Sequence, residues 1–439
     1  MLKHRSLILF FLLLIQPAMD MHAIQRFPKP EFETGYLQPE TLIPNPRAEI
    51  LAVMDVVVLL LSLSLISWIV LKKRSRKGVL WMSLFSLVYF GFYREGCVCS
   101  IGSIQNVALA LFDHSYILPV TVIAFFMLPL VFTLFFGRTF CAGVCPFGAM
   151  QDMVAFRPKK LGSRLNAILG MVPYIYFGLA VLYAATGIDF IICRYDPFVG
   201  IFRFNASFGM FVFGGILLLS GIFIARPYCR FLCPYGVLLN WVSRFSRRHI
   251  TITPAGCIQC RLCEDSCPYD AIDIPVTTRN PENRQTMVRK LILVCFLIPF
   301  LAAAGGWTGI QLHETLAGVS PKVKLAKELL DPASPGNQTE PFEITAFRSS
   351  GKSSAEVFTE ATGVIKRFYT GSWILGGFIG FIFGVVIAGR MLITWRTDYV
   401  PNKGACFSCA RCVDYCPVKS NTPTGWLPDD STVKPNRNP

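Results

Sequence analysis

Charge is scarce in this chain. Of its 439 residues only 16% are Asp, Glu, Lys or Arg, where a soluble domain carries about 25%. With 53% hydrophobic residues beside that shortage, an ordinary soluble globule is excluded and a polytopic membrane protein is indicated. Acid is the scarcer sign, 27 residues against 42 basic ones, for a net charge of +15. The basic residues form no continuous patch for nucleic acid. They cluster beside apolar runs: Lys72, Lys73, Arg74, Arg76 and Lys77; Arg157, Lys159, Lys160 and Arg164; Arg244, Arg247 and Arg248. Positive-inside loops have this pattern, so membrane lipid is an expected partner and nucleic acid is not. A nucleotide-binding phrase such as G-x-G-x-x-G after a strand is also missing, which argues against direct use of NAD(P)H.

Cysteine is abundant, at 16 residues. Eight fall in two ferredoxin-type phrases and four in a pair of Cys-x3-Cys-Pro phrases, leaving Cys97, Cys99, Cys193 and Cys295. This clustering is metal and redox usage rather than a disulfide framework.

Residues 1–23, basic and then apolar, read as a signal peptide or signal anchor, and 24–48 as an exported polar loop. Runs long enough to span a membrane are expected at 50–71, 79–93, 116–136, 167–187, 206–225, 291–311 and 372–394. The predicted fold class is therefore mostly α: a polytopic helical membrane protein with a split ferredoxin module. The basic cluster at 72–77 sets the end of the first span in the cytoplasm. Alternation then puts Cys97, Cys99 and Cys193 outside and both ferredoxin phrases inside. The expected domains are a transmembrane core at 49–245, half of the module at 246–290, and a helix at 291–311. An exported loop at 312–371, a helix at 372–394, and the other half with the C-terminal tail at 395–439 follow. In that loop Ser350-Gly351-Lys352-Ser353 resembles a covalent flavin site, but Lys352 replaces the small residue and flavin is not expected.

The first ferredoxin phrase holds Cys257, Cys260, Cys263 and Cys267 before Pro268; the second holds Cys406, Cys409, Cys412 and Cys416 before Pro417. This is the bacterial run for [4Fe–4S] clusters, in which the fourth cysteine ligates the other cluster. The expected sets are Cys257, Cys260, Cys263 and Cys416 for one cluster, and Cys406, Cys409, Cys412 and Cys267 for the other. The alternative is two half-domains that each use the cysteines of their own phrase. Structural zinc fits less well, because its Cys-x2-Cys arms usually stand far apart.

Within the core a unit repeats. Helices lead to Gly96-Cys97-Val98-Cys99 and then to Cys141-x3-Cys145-Pro146-Phe147-Gly148. Again helices lead to Cys193-Arg194-Tyr195-Asp196-Pro197 and then to Cys229-x3-Cys233-Pro234-Tyr235-Gly236. A parallel repeat implies a pseudo-two-fold axis along the membrane normal. It would gather Cys141, Cys145, Cys229 and Cys233 at the inner side and Cys97, Cys99 and Cys193 at the outer. The inner four read as an additional iron–sulfur, metal or redox site; compact apolar fillers at helix ends are the plainer reading. The outer three read as a second metal site, or as a disulfide with one thiol left over. Cys295 reads as a packing residue. Asp55, Arg94, Glu95, Asp113, His114 and Asp196 gather near the outer end, where a quinol site would need a proton acceptor; helix-end solvation is the plainer role.

The phrases "REGCVCSIGSIQNVALALFD" and "CRYDPF", with both Cys-x3-Cys-Pro phrases and the paired ferredoxin phrases, resemble NosR/NapH-type membrane iron–sulfur proteins. The resemblance covers about residues 50–270 and 395–420. It does not extend to the exported flavin domain that NosR carries ahead of its spans. A more distant likeness is to the CcoG group, which assists copper loading of oxidases. The resemblance implies a bacterial inner-membrane protein with two [4Fe–4S] clusters. It implies electron transfer between the quinone pool or a cytoplasmic donor and an exported reductase or its maturation system. An electron-transfer component is expected rather than a stand-alone enzyme. The rival is a redox-sensing regulator or metalloenzyme assembly factor that reduces copper or another metal.

Overall fold

The structure, a computed structural model, describes residues 49–96, 100–156, 158–252, 257–275, 284–330, 344, 347, 353–391 and 398–418. Its apolar runs form helices, which satisfy their own backbone groups where water is absent. Six form the first half of the core: α1 (Glu49–Trp68), α2 (Arg76–Ser86), α3 (Ser103–Phe112), α4 (Val120–Phe136), α5 (Thr139–Gly143) and α6 (Pro146–Val154). The second half begins with α7 (Ser163–Leu169), α8 (Val172–Ala185), α9 (Ile191–Tyr195) and α10 (Pro197–Phe202). It ends with α11 (Phe208–Ser220), α12 (Pro227–Phe231) and α13 (Pro234–Arg244). Next come α14 (Leu262–Ser266), strand β1 (Ile272–Asp273), α15 (Arg284–Gln311), α16 (His313–Ala317) and α17 (Pro321–Leu330). The last elements are α18 (Ser354–Met391), β2 (Val400–Pro401) and α19 (Arg411–Asp414).

By packing, the chain divides between Met54 and Asp55, inside α1. The described part of the first unit is helix with exposed Ile50, Val53 and Met54. All other elements belong to the second unit. Its main core runs from Leu59, Leu63 and Ile66 of α1 through Phe140, Cys145 and Phe147 to Tyr269, Phe407 and Cys412.

Among the described residues, four helical stretches are long and apolar enough to cross a membrane: Ile50–Lys73, Arg164–Ala185, Gln285–Gln311 and Ser354–Met391. The other three expected spans fall on shorter elements. Residues 79–93 lie in α2 and its π-helical continuation Leu87–Tyr93. The helices α4 and α11 have 17 and 13 residues. At 1.5 Å per residue α11 reaches about 20 Å, short of a hydrocarbon core of about 30 Å. Left-handed Gly137 (φ 72°) and Arg226 (φ 50°) turn the chain toward each Cys-x3-Cys-Pro phrase.

Residues 312–371 are not a loop throughout. They contain α16, α17 and the first part of α18. Val323 and Ala326 of α17 bury against Val357 and Ala361 of α18, and the exposed side carries the Lys322–Glu360 ion pair at 2.6 Å. The charged faces mask a short apolar stripe. Ser350, Gly351 and Lys352 lie outside the described residues.

The helices α15 and α18 meet backbone to backbone. A Cβ at Gly305 or at Gly376 would fall on the other's carbonyl oxygen, and Gly309 and Gly380 face Ser372 and Leu301 as closely. Small residues at four-residue spacing allow this approach. Gly376→Leu is expected to force the pair apart at a cost of about 3 kcal/mol, read as a lower thermal midpoint in detergent. An unchanged midpoint would show that the pair can reseat around a side chain.

Candidate metal centres

Each ferredoxin-type phrase turns through non-glycine residues in the left-handed region at matching places. These are Gln259 (φ 53°) and Arg261 (φ 64°) in the first, and Ser408 (φ 53°) and Ala410 (φ 61°) in the second. Each costs about 1–3 kcal/mol and persists where its surroundings demand it; here the same pair of turns recurs in both phrases. The Ser408 amide donates to Cys406 Sγ at 3.4 Å, as donors do around metal-bound sulfur.

The two phrases form one unit. Strands β1 and β2 pair antiparallel, with Ile272 opposite Pro401 and Asp273 opposite Val400. The Asn402 amide donates to the Ala271 carbonyl at 2.8 Å, and the rings of Tyr269 and Phe407 meet at 4.7 Å. One cavity is lined by Cys257, Cys260 and Cys263 of the first phrase together with Cys416 of the second. Cys406, Cys409 and Cys412 share their electrostatic neighbourhood with Cys267. Burial, with Cys409 beside it, pushes the Cys406 thiol up to about 12, and burial also raises Cys267. Such groups stay thiols until a metal displaces the proton. Among the described residues no three Cys, His, Asp or Glu side chains converge on a single ion.

The second cysteine set lies directly against this unit. Cys145 and Cys233 occupy the N-cap positions of α6 and α13, with Pro146 and Pro234 opening the helices. The amides of Gly148 and Gly236 approach their sulfurs without closing a capping hydrogen bond. Gln151 Nε2 donates to Cys229 Sγ at 3.3 Å, and its Oε1 accepts from the Tyr228 amide at 3.0 Å. Arg138 Nη2 reaches Cys141 Sγ at 3.9 Å. Cys145 lies within electrostatic reach of Cys141, Cys229 and Cys233. All four expected inner cysteines are thus brought together.

A buried ion network joins the two sets. Arg226, fully buried, donates to Asp152 from Nε at 2.8 Å and from Nη2 at 2.7 Å, and to the Cys141 carbonyl from Nη1. Arg76 reaches Asp152 and the Cys409 carbonyl, both at 3.3 Å. The Tyr269 hydroxyl donates to Asp152 Oδ1 at 3.3 Å. Burial alone would raise the Asp152 carboxyl, yet Arg226 and Arg76 hold it at about 2, so it stays charged.

At the other end, Gln105 Oε1 accepts from the amides of Ile192 at 3.0 Å and Cys193 at 3.3 Å, and Arg203 donates to the Glu95 carbonyl at 3.2 Å. The stretches around Glu95 and Cys193 therefore meet, while Cys97 and Cys99 themselves lie outside the described residues. Cys193 is exposed, and so is Cys295, which faces out from α15 instead of packing. The acids expected near a quinol have structural partners. Asp55 pairs with Arg94 at 2.9 Å, Asp113 accepts from the Ser115 amide at 3.0 Å, and Asp196 caps α10 and accepts from the Tyr228 hydroxyl. Glu95 and His114 are exposed.

One family described as a 4Fe-4S binding domain matches twice, at residues 118–164 and 206–253, so each copy carries one Cys-x3-Cys-Pro phrase. A second 4Fe-4S binding domain family matches residues 250–273. The chain is 31% identical to Protein NirI of Paracoccus denitrificans over 169 residues, 34% of this chain and 24% of NirI. It is 28% identical to Regulatory protein NosR of Stutzerimonas stutzeri over 227 residues, 46% of this chain and 29% of NosR. Over these stretches the chain is similar to NosR/NapH-type iron–sulfur membrane proteins. The methylamine utilization ferredoxin-type protein MauN of Paracoccus denitrificans is 26% identical over 154 residues, 34% of this chain and 54% of MauN. The match thus spans about a quarter to a half of these relatives. No solved structure matches. The chain therefore combines matches to 4Fe-4S binding domains with four helical stretches long and apolar enough to cross a membrane.

Its spacing rules singled out cysteines and passed over Arg76, Arg138, Asp152, Gln151 and Arg226. One signal was available: Arg138 and Arg226 stand at the same place ahead of the two Cys-x3-Cys-Pro phrases.

Proposed function

We propose that this chain is an electron conduit of the bacterial inner membrane, with seven spans and its ferredoxin module in the cytoplasm. Cys257, Cys260, Cys263 and Cys416 would hold one [4Fe–4S] cluster, and Cys406, Cys409, Cys412 and Cys267 the other. When bound, such clusters supply one-electron storage at a potential that their surroundings set. Cys141, Cys145, Cys229 and Cys233 would extend the path inward through the core toward Cys97, Cys99 and Cys193. Electrons would pass between a quinol or a cytoplasmic donor and an exported reductase or its maturation system. The observation that carries this reading is the direct packing of the module on the four-cysteine site. Arg138 reaches Cys141 Sγ at 3.9 Å and the Gly404 carbonyl at 2.9 Å, and lies 4.3 Å from the Phe407 ring centre. Buried Phe147, Tyr228 and Tyr235 keep water from the region.

The test is anaerobic reduction of the full chain in lipid nanodiscs, followed by visible absorbance. Bleaching by a quinol, or by a low-potential reductant of ferredoxin type, is the expected result. Full iron content with bleaching by neither would sink the conduit. It would leave the second reading, a redox-sensing regulator or copper-handling assembly factor, whose regulator form is favoured by the similarity to Regulatory protein NosR.

A further inference from the structure

Arg138 and Arg226 occupy equivalent places in the repeat but meet different surroundings. Arg226 has its charge met by Asp152 through two hydrogen bonds. The position equivalent to Asp152 in the second phrase is Asn240, which brings no charge and whose buried Oδ1 has no hydrogen-bond partner among the described residues. Arg138 is 5% exposed. It contacts the Gly404 carbonyl, the Phe407 ring and Cys141 Sγ, and among the described residues its Nε has no hydrogen-bond partner. Among the described residues no carboxylate pairs with it. A buried, unpaired guanidinium is costly, so a native core supplies it an anion.

Three sulfurs lie within its electrostatic reach, Cys229 and Cys233 of the inner set and Cys406 of the ferredoxin module, with Arg226 acting more strongly on Cys229. Gln151 adds a donor to Cys229. Four thiolates bring more negative charge than an oxidised iron–sulfur core removes, so a centre held by four cysteines is a net anion. We propose that Arg138 is the counter-charge of an anionic iron–sulfur centre held by Cys141, Cys145, Cys229 and Cys233, and that it raises that centre's reduction potential. This rests on the reading that these cysteines hold a redox centre. The step concerned is the gain of one electron by the centre, with no bond made or broken. The added negative charge is what the guanidinium stabilises. Arg138 acts through space on the centre and is a positioning residue.

The experiment compares native protein with Cys145→Ser/Cys233→Ser, Arg138→Met, Arg138→Lys and Asn240→Asp, each full length in nanodiscs. Iron and sulfide are counted, and an EPR-monitored redox titration is run with dithionite. The double cysteine variant should lose iron and one signal. That signal should titrate at lower potential in Arg138→Met and return toward the native potential in Arg138→Lys. Asn240→Asp, which leaves Arg138 in place and gives it a carboxylate nearby, should also lower it; this variant decides the matter if Arg138→Met does not accumulate. Native iron content in the double cysteine variant, or zinc in place of iron, would overturn the centre itself and leave the quinol test of the conduit untouched. A signal that stays at the native potential in both Arg138→Met and Asn240→Asp would overturn the role of Arg138.

Discussion

Cys416→Ser is expected to empty the cluster whose other ligands are Cys257, Cys260 and Cys263, and to spare the one built on its own phrase. Cys267→Ser should do the reverse. The expectation follows from the cavity that Cys416 shares with the first phrase and from the nearness of Cys267 to Cys406, Cys409 and Cys412. Each variant should lose roughly half of the ferredoxin-type iron. Pairing each with Cys260→Ser or Cys409→Ser tells the arrangements apart. Cys416→Ser should remove the EPR signal that Cys260→Ser removes. If it removes the signal lost in Cys409→Ser instead, each phrase serves its own cluster.

Asp152→Ala should be the most destabilising single change in the core. The carboxylate is the shared partner of Arg226 and Arg76 at a buried site. Removing it leaves two guanidinium groups with no compensating charge, which costs about 3–5 kcal/mol. The same change frees the Tyr269 hydroxyl and loosens the seat of the ferredoxin module. A large drop in thermal midpoint in detergent, with lower iron retention, is the expected result. Asp152→Leu combined with Arg226→Met should recover part of the loss, because a buried pair can often be replaced by apolar residues of similar volume. If Asp152→Ala stays within about 1 kcal/mol of the native protein, the network does not hold the module in place.

The cysteine chemistry was legible because metal ligands obey short spacing rules that survive in any fold. The joining of Cys257–Cys267 to Cys406–Cys416 followed from the same rules, although two long helices intervene. The repeat was legible for a similar reason: a Pro after Cys and a Gly two residues later leave few backbone solutions. Burial of charge was not legible. Arg138, Arg226 and Asp152 look like ordinary helix-end charges in one dimension, and only packing shows that water is excluded from them. Helix ends were less legible where apolar composition runs on past the helix: residues 206–225 are apolar, yet α11 stops at Ser220 and the chain turns through Arg226. The helices within 312–371 were not legible either, because they bury narrow stripes beneath charged faces.

The strand pair β1–β2 carries a consequence for how the molecule is made. Its two strands lie on either side of the α15–α18 pair in the chain. A ribosome releases Cys257–Cys267 well before Cys406–Cys416, so the iron-binding unit cannot close during the first part of synthesis. It closes only when α18 has been laid against α15 and the chain has returned with β2.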